Sequence, residues 1–277
     1  MFKKYNLTLN AEDFEKFPGL TQSDLSTFNT KSNDYKEELN NRLDKTLSIA
    51  RGENGEIDAS KLIRDWFPTD SNVDIFISHS HGDINDVIKL GAWLTKTFQL
   101  NVFIDSLIWG NSNELLKNID KNYAYNEDQQ TYDYQTRNIT TSHVHMMLST
   151  ALNDMIDTAE CIIFVNTPSS ITLSTDEQQG TASPWIYSEL KSASLLRTVI
   201  PQRFYTKHYI KRSALDETLI QNAIPEFKYD VNQQLTNFTK LEYDDLKEWS
   251  DLWIIKQRAG MENGLDVLYQ VKGEFKE

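Results

Sequence analysis

The side chains that could carry out chemistry lie in three short segments of the sequence. The first is 78–83, Ser-His-Ser-His-Gly-Asp, directly after an apolar run. The second contains His143 and His145, and the third contains Trp185 and Glu189, four residues apart. Imidazole nitrogens and carboxylates are typical zinc ligands, and a fixed carboxylate can also stabilise a developing cation. The residue types are therefore compatible with two kinds of site, a metal centre and an acidic site without a metal.

The metal centre rests on the pair His79-x-His81 followed by Asp83, which resembles the metal motif of the metallo-β-lactamase fold. The pattern ends at Ile84, where that motif has a histidine, and the glycine-rich stretch expected after it is missing. The alternative is that His81 is a hydrogen-bond donor in a loop and that the second histidine pair flanks a helix. Because a motif counts only in its structural context, we predict no metal, and a zinc-dependent hydrolase remains a distant alternative.

Short apolar runs alternate with helical patterns in the middle of the chain. Runs rich in β-branched residues occur at 73–77, 101–105 and 161–165, and helical spacing occurs at 84–98 and 146–159. Strands that alternate with helices indicate a parallel sheet with helices on both faces. The runs show no polar alternation, which is typical of strands buried on both sides. The sequence predicts an α/β fold.

The chain is divided by composition into three parts. Residues 1–68 are polar and predict a helical N-terminal extension, residues 70–255 form the main domain, and residues 256–277 form a C-terminal segment. A Tyr-rich stretch at 122–142 predicts an inserted surface loop. A second long loop, rich in Ser, Thr and Gly, is predicted at 167–183. Further elements are predicted as helices at 35–50, 61–67, 184–196, 244–253 and 265–271 and as a strand at 227–231.

The net charge limits the classes of partner. Lys and Arg number 28 against 41 Asp and Glu, which gives a net charge of −13. A surface that negative repels phosphate backbones and anionic lipids, so we expect neither nucleic-acid nor membrane binding. The single cysteine, Cys161, excludes an internal disulfide and a Cys-rich zinc site. With no apolar signal segment or membrane-length run, we expect a cytoplasmic protein.

Four pieces of the sequence, in order, resemble a TIR (Toll/interleukin-1 receptor) domain. Residues 74–80 resemble its opening strand and loop, and 101–105 resemble its second strand. Gly110 and the pattern at 114–120 then resemble the BB loop and the helix after it. Ser-Pro-Trp-Ile-Tyr-Ser-Glu-Leu at 183–190 resembles the W-x-x-x-E signature of TIR enzymes. The resemblance runs from about residue 73 to 196.

This resemblance implies a flavodoxin-like, doubly wound parallel sheet with strand order 2-1-3-4-5. Such a sheet binds ligands beyond the carboxyl ends of its strands, where the winding direction reverses. TIR enzymes cleave the nicotinamide–ribose bond of NAD, so Glu189 is the expected catalytic carboxylate and NAD is the substrate, with no cofactor. The expected substrate-binding residues are Phe76, Ser78, His79, Ser80, Trp109 and Trp185. Asp105, at the end of the second strand, is interpreted as a helix or turn cap.

The resemblance also implies partners and a role. We expect self-association through the TIR domain, because in this family a neighbouring copy often completes the site. The expected role is that of an antiviral effector that depletes NAD, or that makes a cyclic or linear ADP-ribose product sensed by a downstream effector. The alternative is a non-catalytic TIR module that only recruits other TIR domains, in which case Glu189 would be an inert residue.

Overall fold

The computed structural model describes residues 1–49, 57–69, 72–109, 112–173, 179–204 and 228–274. In these residues the strands are β1 Lys3–Thr8, β2 Ile75–Ser78, β3 Val102–Phe103, β4 Tyr125–Asn126, β5 Thr131–Tyr132, β6 Cys161–Asn166, β7 Thr172–Leu173, β8 Gln179–Thr181, β9 Tyr229–Asp230 and β10 Thr239–Glu242. The helices are α1 Gln22–Ile49, α2 Ala59–Trp66, α3 Ile84–Phe98, α4 Asp105–Ile108, α5 Ser112–Tyr123, α6 Tyr134–Thr158, α7 Pro184–Leu195, α8 Asn232–Leu235, α9 Tyr243–Arg258 and α10 Gly264–Val271.

The centre of the molecule is a five-stranded sheet with the order β10-β1-β6-β2-β3. All four neighbouring pairs in this sheet are parallel. The α/β, flavodoxin-like doubly wound fold is therefore confirmed. The three strands predicted at 73–77, 101–105 and 161–165 are β2, β3 and β6, and they take the expected relative positions.

The fourth position of the sheet is filled from an unexpected part of the chain. Strand β1 lies between β6 and β10, with Tyr5 paired to both Ile163 and Thr239. The prediction that 1–68 is wholly a helical extension is therefore wrong for its first residues, although the helices predicted at 35–50 and 61–67 are present as α1 and α2. Residue 50 itself lies outside the described residues. Tyr5 and Leu7 are fully buried, while their neighbours Lys4, Asn6 and Thr8 are polar, so the local sequence has no apolar run that predicts a strand.

Side chains of the sheet alternate between two apolar cores. Phe76, Ile162 and Phe164 face one core, which is closed by helices α2, α5, α6 and α7. Ile75 and Ile77 face the other, which is closed by α3, α9 and α10. Because successive strand residues point to opposite faces, Ser78 lies on the same face as Phe76. This alternation places the Ser78 hydroxyl on the side of the sheet that carries α7.

Two predicted loops contain regular structure. The Tyr-rich stretch forms the hairpin β4–β5, and α6 already begins at Tyr134, so the predicted surface loop is correct only before that residue. The long loop after β6 contains β7 and β8, which form a small antiparallel sheet with β9. The strand predicted at 227–231 is present as β9, with residue 227 outside the described residues.

The predicted C-terminal segment is part of the domain. Helix α9 continues to Arg258, beyond the predicted boundary at residue 255, and α10 follows. Leu265, Val267 and Leu268 of α10 are fully buried in the core that β1 also faces. Helix α10 therefore packs into the same core as the central sheet.

We predict that the N-terminal strand is essential to stability. Leu7→Ala removes a fully buried side chain from the sheet and should lower the free energy of unfolding by about 2–5 kcal/mol. Leu173→Ala, at a position 68% exposed, is the matched control and should change it by less than about 0.5 kcal/mol. Urea denaturation monitored by circular dichroism measures both. Equal effects of the two substitutions would contradict the placement of β1.

Candidate functional site

The candidate site lies where the winding of the sheet reverses, at the carboxyl ends of β2 and β6. The chain leaves β2 toward β3 on one side, while β1 and β10 lie beyond β6 on the other. The loops after the two strands meet across this crevice, where Thr167 Oγ1 donates to Asp83 Oδ2 at 2.5 Å. Ligands of doubly wound sheets typically bind at this position, which makes it the candidate site.

Ser78 and Glu189 come into direct contact in this crevice. The Ser78 hydroxyl donates a hydrogen bond to Glu189 Oε2 at 2.5 Å. Ser78 is 1% exposed and Glu189 is 4% exposed. The geometry brings together two of the residues that the sequence singled out, from segments 111 positions apart.

Helix α7 holds Glu189 in place through its first turn and its apolar face. Ser183 caps the helix by accepting a hydrogen bond from the Ile186 amide, and Pro184 occupies the first turn. Ile186 and Leu190 are buried in the same core as Phe76. The carboxyl group therefore sits on a helix that cannot rotate without exposing apolar side chains.

His79 and Asp105 form a second polar group beside this pair. The ring of His79 is 3% exposed, and its Nε2 lies 3.0 Å from Ser106 Oγ. Its Nδ1 lies 3.9 Å from Asp105 Oδ1 and 3.4 Å from the Ile77 carbonyl oxygen. His79 thus connects the end of β2 to the start of α4.

Asp105 is the site residue that sequence reasoning missed. The interpretation as a cap is wrong, because Ile104 is the N-cap of α4 and makes no side-chain cap, and Asp105 is the first residue of the helix. Its carboxylate faces His79 and acts electrostatically on Glu189. The available signal was its position directly after a strand of a parallel sheet, the edge at which functional side chains collect.

Burial controls the protonation of Glu189. Loss of water around the carboxyl group raises its pKa well above the usual range, and the negative charge of Asp105 raises it further. The hydrogen bond from Ser78 acts in the opposite direction and lowers it. The first effect is the largest, so the closed crevice favours the protonated, uncharged carboxyl group.

The aromatic residues predicted to contact substrate have structural roles. Phe76 is fully buried and stacks on Phe103 at 5.6 Å between ring centroids. Trp109, expected to bind substrate, is only 4% exposed, and its Nε1 donates to the Pro68 carbonyl oxygen at 3.0 Å. It packs edge-on to Phe103 as well, so the described structure places its ring in the core. Packing against apolar neighbours explains why this tryptophan is buried.

Trp185 and Ser80 are half-buried and lie near the Ser78–Glu189 pair in sequence, but within the described residues neither side chain forms a hydrogen bond with that pair. Trp185 is half-buried, and its ring lies edge-on to His145 of α6 at 5.5 Å between ring centroids. It therefore contributes to the packing of α7 on α6, one helical turn before Glu189. Ser80 is half-buried at the start of the short helical turn His81–Asp83. Gly110, from the segment that resembles a BB loop, lies outside the described residues.

The four histidines of the described residues do not form a metal-binding group. His81 is exposed in the turn after β2, whereas His79 is buried against Ser106. His143 and His145 are exposed and lie within α6, not at its start as predicted. In the part of the chain that the structure describes, no three His, Cys, Asp or Glu side chains are grouped as metal ligands would be.

Fold and site together define a flavodoxin-like doubly wound protein with a buried Ser–Glu pair at its switch point. A scan against models of known families gives no match for this chain, and searches of curated proteins and of solved structures give none either. Among the described helices, none combines the length and the apolar character needed to cross a bilayer.

The raised pKa of Glu189 predicts a pH-dependent cost to stability. A carboxyl group whose pKa is raised by folding contributes stability below its unfolded pKa and loses it as pH rises through the folded value. Glu189→Gln keeps the acceptor for Ser78 and does not titrate. Relative to the native chain, it should therefore stabilise the protein more at pH 8 than at pH 5.

Thermal denaturation at both pH values measures this difference. Glu248→Gln, at an exposed position on α9, is the control and should show no trend with pH. If Glu189→Gln has the same effect at the two pH values, Glu189 does not carry the raised pKa.

Proposed function

We propose that this protein cleaves the nicotinamide–ribose bond of NAD, with Glu189 as the catalytic carboxylate. The observation that carries the proposal is the Ser78–Glu189 hydrogen bond at the switch point of the sheet. It joins the two pieces of sequence with the clearest resemblance to TIR enzymes, the loop after the first predicted strand and the W-x-x-x-E helix. The proposed role in antiviral defence follows from this resemblance alone, and the proposed cytoplasmic location follows from the hydropathy pattern of the sequence.

The reaction needs few catalytic groups from the protein. The nicotinamide ring leaves with the electron pair of the C–N bond and departs as a neutral molecule, which leaves an oxocarbenium-like ribose cation. A carboxylate fixed near that ribose stabilises the positive charge. Water adds to the cation and loses a proton to give ADP-ribose, or an atom of the same nucleotide adds to give a cyclic isomer. Which product forms depends on the nucleophile held closest and on the exclusion of water.

The described arrangement is a closed state of such a site. Glu189 is 4% exposed and its carboxyl group is occupied by Ser78, so a nucleotide reaches it only when Ser78 is displaced. A ribose hydroxyl can then replace the serine hydroxyl as the donor. Opening also returns water to the carboxyl group, which lowers its pKa toward the usual range and produces the anion that the reaction needs.

The polar groups around Glu189 suit the rest of the nucleotide. His79, Ser80 and Ser106 line the ends of β2 and α4 and offer hydroxyl and imidazole donors. The chain as a whole carries a net charge of −13, so its surface does not attract a pyrophosphate. Recognition of the phosphates must therefore come from local donors such as these.

We predict that NAD consumption depends on Glu189. Glu189→Gln preserves the size and the hydrogen bond of the side chain but removes its charge, and should lower the rate at least about 100-fold, a typical loss for one electrostatic group. Glu248→Gln, the exposed control, should keep the native rate. Chromatography of nicotinamide and of the ribose products, at low and high protein concentration, measures both and identifies hydrolysis or cyclisation.

A non-catalytic TIR interaction module is the second candidate. The enclosure of the Glu189 carboxyl group favours it, because a buried acid bonded to Ser78 also serves as a structural contact. In that case neither the native chain nor any assembled form of it consumes NAD. Activity that rises steeply with self-association supports the enzyme instead, while equal activity per subunit in dilute monomer contradicts the expected completion of the site by a neighbouring copy.

The pH dependence of the reaction should report on the neighbours of Glu189. The ratio kcat/KM rises as the carboxyl group of the free enzyme ionises, so the acidic limb of its pH profile follows the pKa of Glu189. Asp105→Asn removes a negative charge that raises this pKa and should move the limb to lower pH. Ser78→Ala removes a donor that lowers it and should move the limb to higher pH. Shifts of the same sign in the two pH–rate profiles would contradict this assignment.

A further inference from the structure

A second cavity lies at the β3 edge of the sheet, under helix α1. Its volume is about 800 Å³, and its walls come from α1, the C-terminal half of α3, β3 and the start of α4. The side chains of Ser78 and Glu189 are not part of its lining. Ligand sites in proteins typically enclose about 300–1,000 Å³, so the space suits a small molecule.

The inner wall of the cavity is apolar. Phe28, Ala92, Leu100, Phe103 and Leu107 line it, and all of them except the half-buried Phe28 are buried. The wall combines aromatic rings with aliphatic side chains, which are the surfaces that flat, apolar ligands contact. The part of an occupant that enters this space is therefore apolar.

Charged side chains stand at the rim. Lys96 Nζ donates to Asp24 Oδ2 and to the Gly19 carbonyl oxygen, so its charge is matched by a neighbouring acid. Lys31 is exposed and also lines the cavity, and among the described residues it has no hydrogen-bond or ion-pair partner. Among the described residues of the lining, two lysines and one aspartate leave one positive charge in excess, in a chain whose net charge is −13. The rim is thus complementary to a single negative charge.

The cavity is held open by fixed contacts. A β-carbon at Gly91 of α3 would lie 2.9 Å from the ring of Phe28, so the glycine allows α1 to approach α3 closely. At the other end, Pro68 lines the cavity while its carbonyl oxygen accepts the hydrogen bond from Trp109. Since both ends are fixed by packing or hydrogen bonding, the space is present before any ligand binds, which lowers the cost of binding.

We propose that this cavity binds a small amphipathic anion, with a flat apolar body against the inner wall and one carboxylate, sulfonate or phosphate group at Lys31. The site is separate from the Ser78–Glu189 pair and does not depend on the function proposed for it. A second copy of the chain, inserted through an exposed side chain, is the competing occupant.

Two fluorescent probes test the proposal on the full-length chain. 8-Anilinonaphthalene-1-sulfonate has a flat apolar body and one negative charge, and N-phenyl-1-naphthylamine has the same body without the charge. We expect the native chain to bind one equivalent of the sulfonate, and more tightly than the amine. Lys31→Glu should weaken sulfonate binding by about three- to tenfold and leave amine binding nearly unchanged, whereas Lys117→Glu, at an exposed position on α5, should affect neither.

A variant that fills the cavity provides a second test of the proposal. Thr95→Trp places an indole into the space from α3 and should weaken both probes at least about tenfold. Thermal melting followed by circular dichroism shows whether the variant is folded. If it is not folded, the comparison of Lys31→Glu with Lys117→Glu decides the result alone. Native binding of the sulfonate by Thr95→Trp and Lys31→Glu would overturn the proposal. Sedimentation that shows a dimer for the native chain and a monomer for Thr95→Trp would also overturn it, in favour of a second copy.

Discussion

The structure depends on the burial of a carboxyl group beside the end of a parallel strand. Taking Glu189 out of water is unfavourable for its charged form, and the hydroxyl of Ser78 offsets this only in part. Such a group persists when the surrounding packing holds it, and α7 supplies that packing through Ile186 and Leu190. A pair of apolar residues in the same place would not carry this desolvation cost, so the stability of the fold does not require the acid.

The sheet explains how this acid comes to face a serine. Alternation along β2 directs Phe76 into the core under α7, and the same alternation directs Ser78 to that face at the point where the strand ends. The parallel neighbours β6 and β1 keep this edge in register, since Ser78 is paired with Phe164 and Phe164 with Asn6. The first strand of the chain therefore supports the site although it contributes no side chain to the Ser78–Glu189 pair.

Sequence reasoning succeeded where one signal dominated and failed where tertiary contacts decided. The strands around Ile75, Phe103 and Ile163 are mostly apolar, so their burial could be predicted from the pattern, whereas their order was implied by the resemblance. Strand β1 alternates buried Tyr5 and Leu7 with lysine and asparagine, and its partners are far away in sequence, so no local pattern identified it. Ser78 and Glu189 were found by resemblance, whereas the place of Asp105 depended on a helix too short to predict.

That short helix lies between the cavity under α1 and the Ser78–Glu189 pair. Ile104 and Leu107 line the cavity under α1, while Asp105 and Ser106, between them, face His79 at the crevice. A helix of four residues is a single turn, so its two sides cannot be displaced independently. Asp105 is also the charge that helps to raise the pKa of Glu189. The electrostatics of the crevice are therefore set by the same turn of backbone that shapes the edge of the sheet, and the Leu107 amide closes that turn by donating to the Ile104 carbonyl oxygen at 3.0 Å.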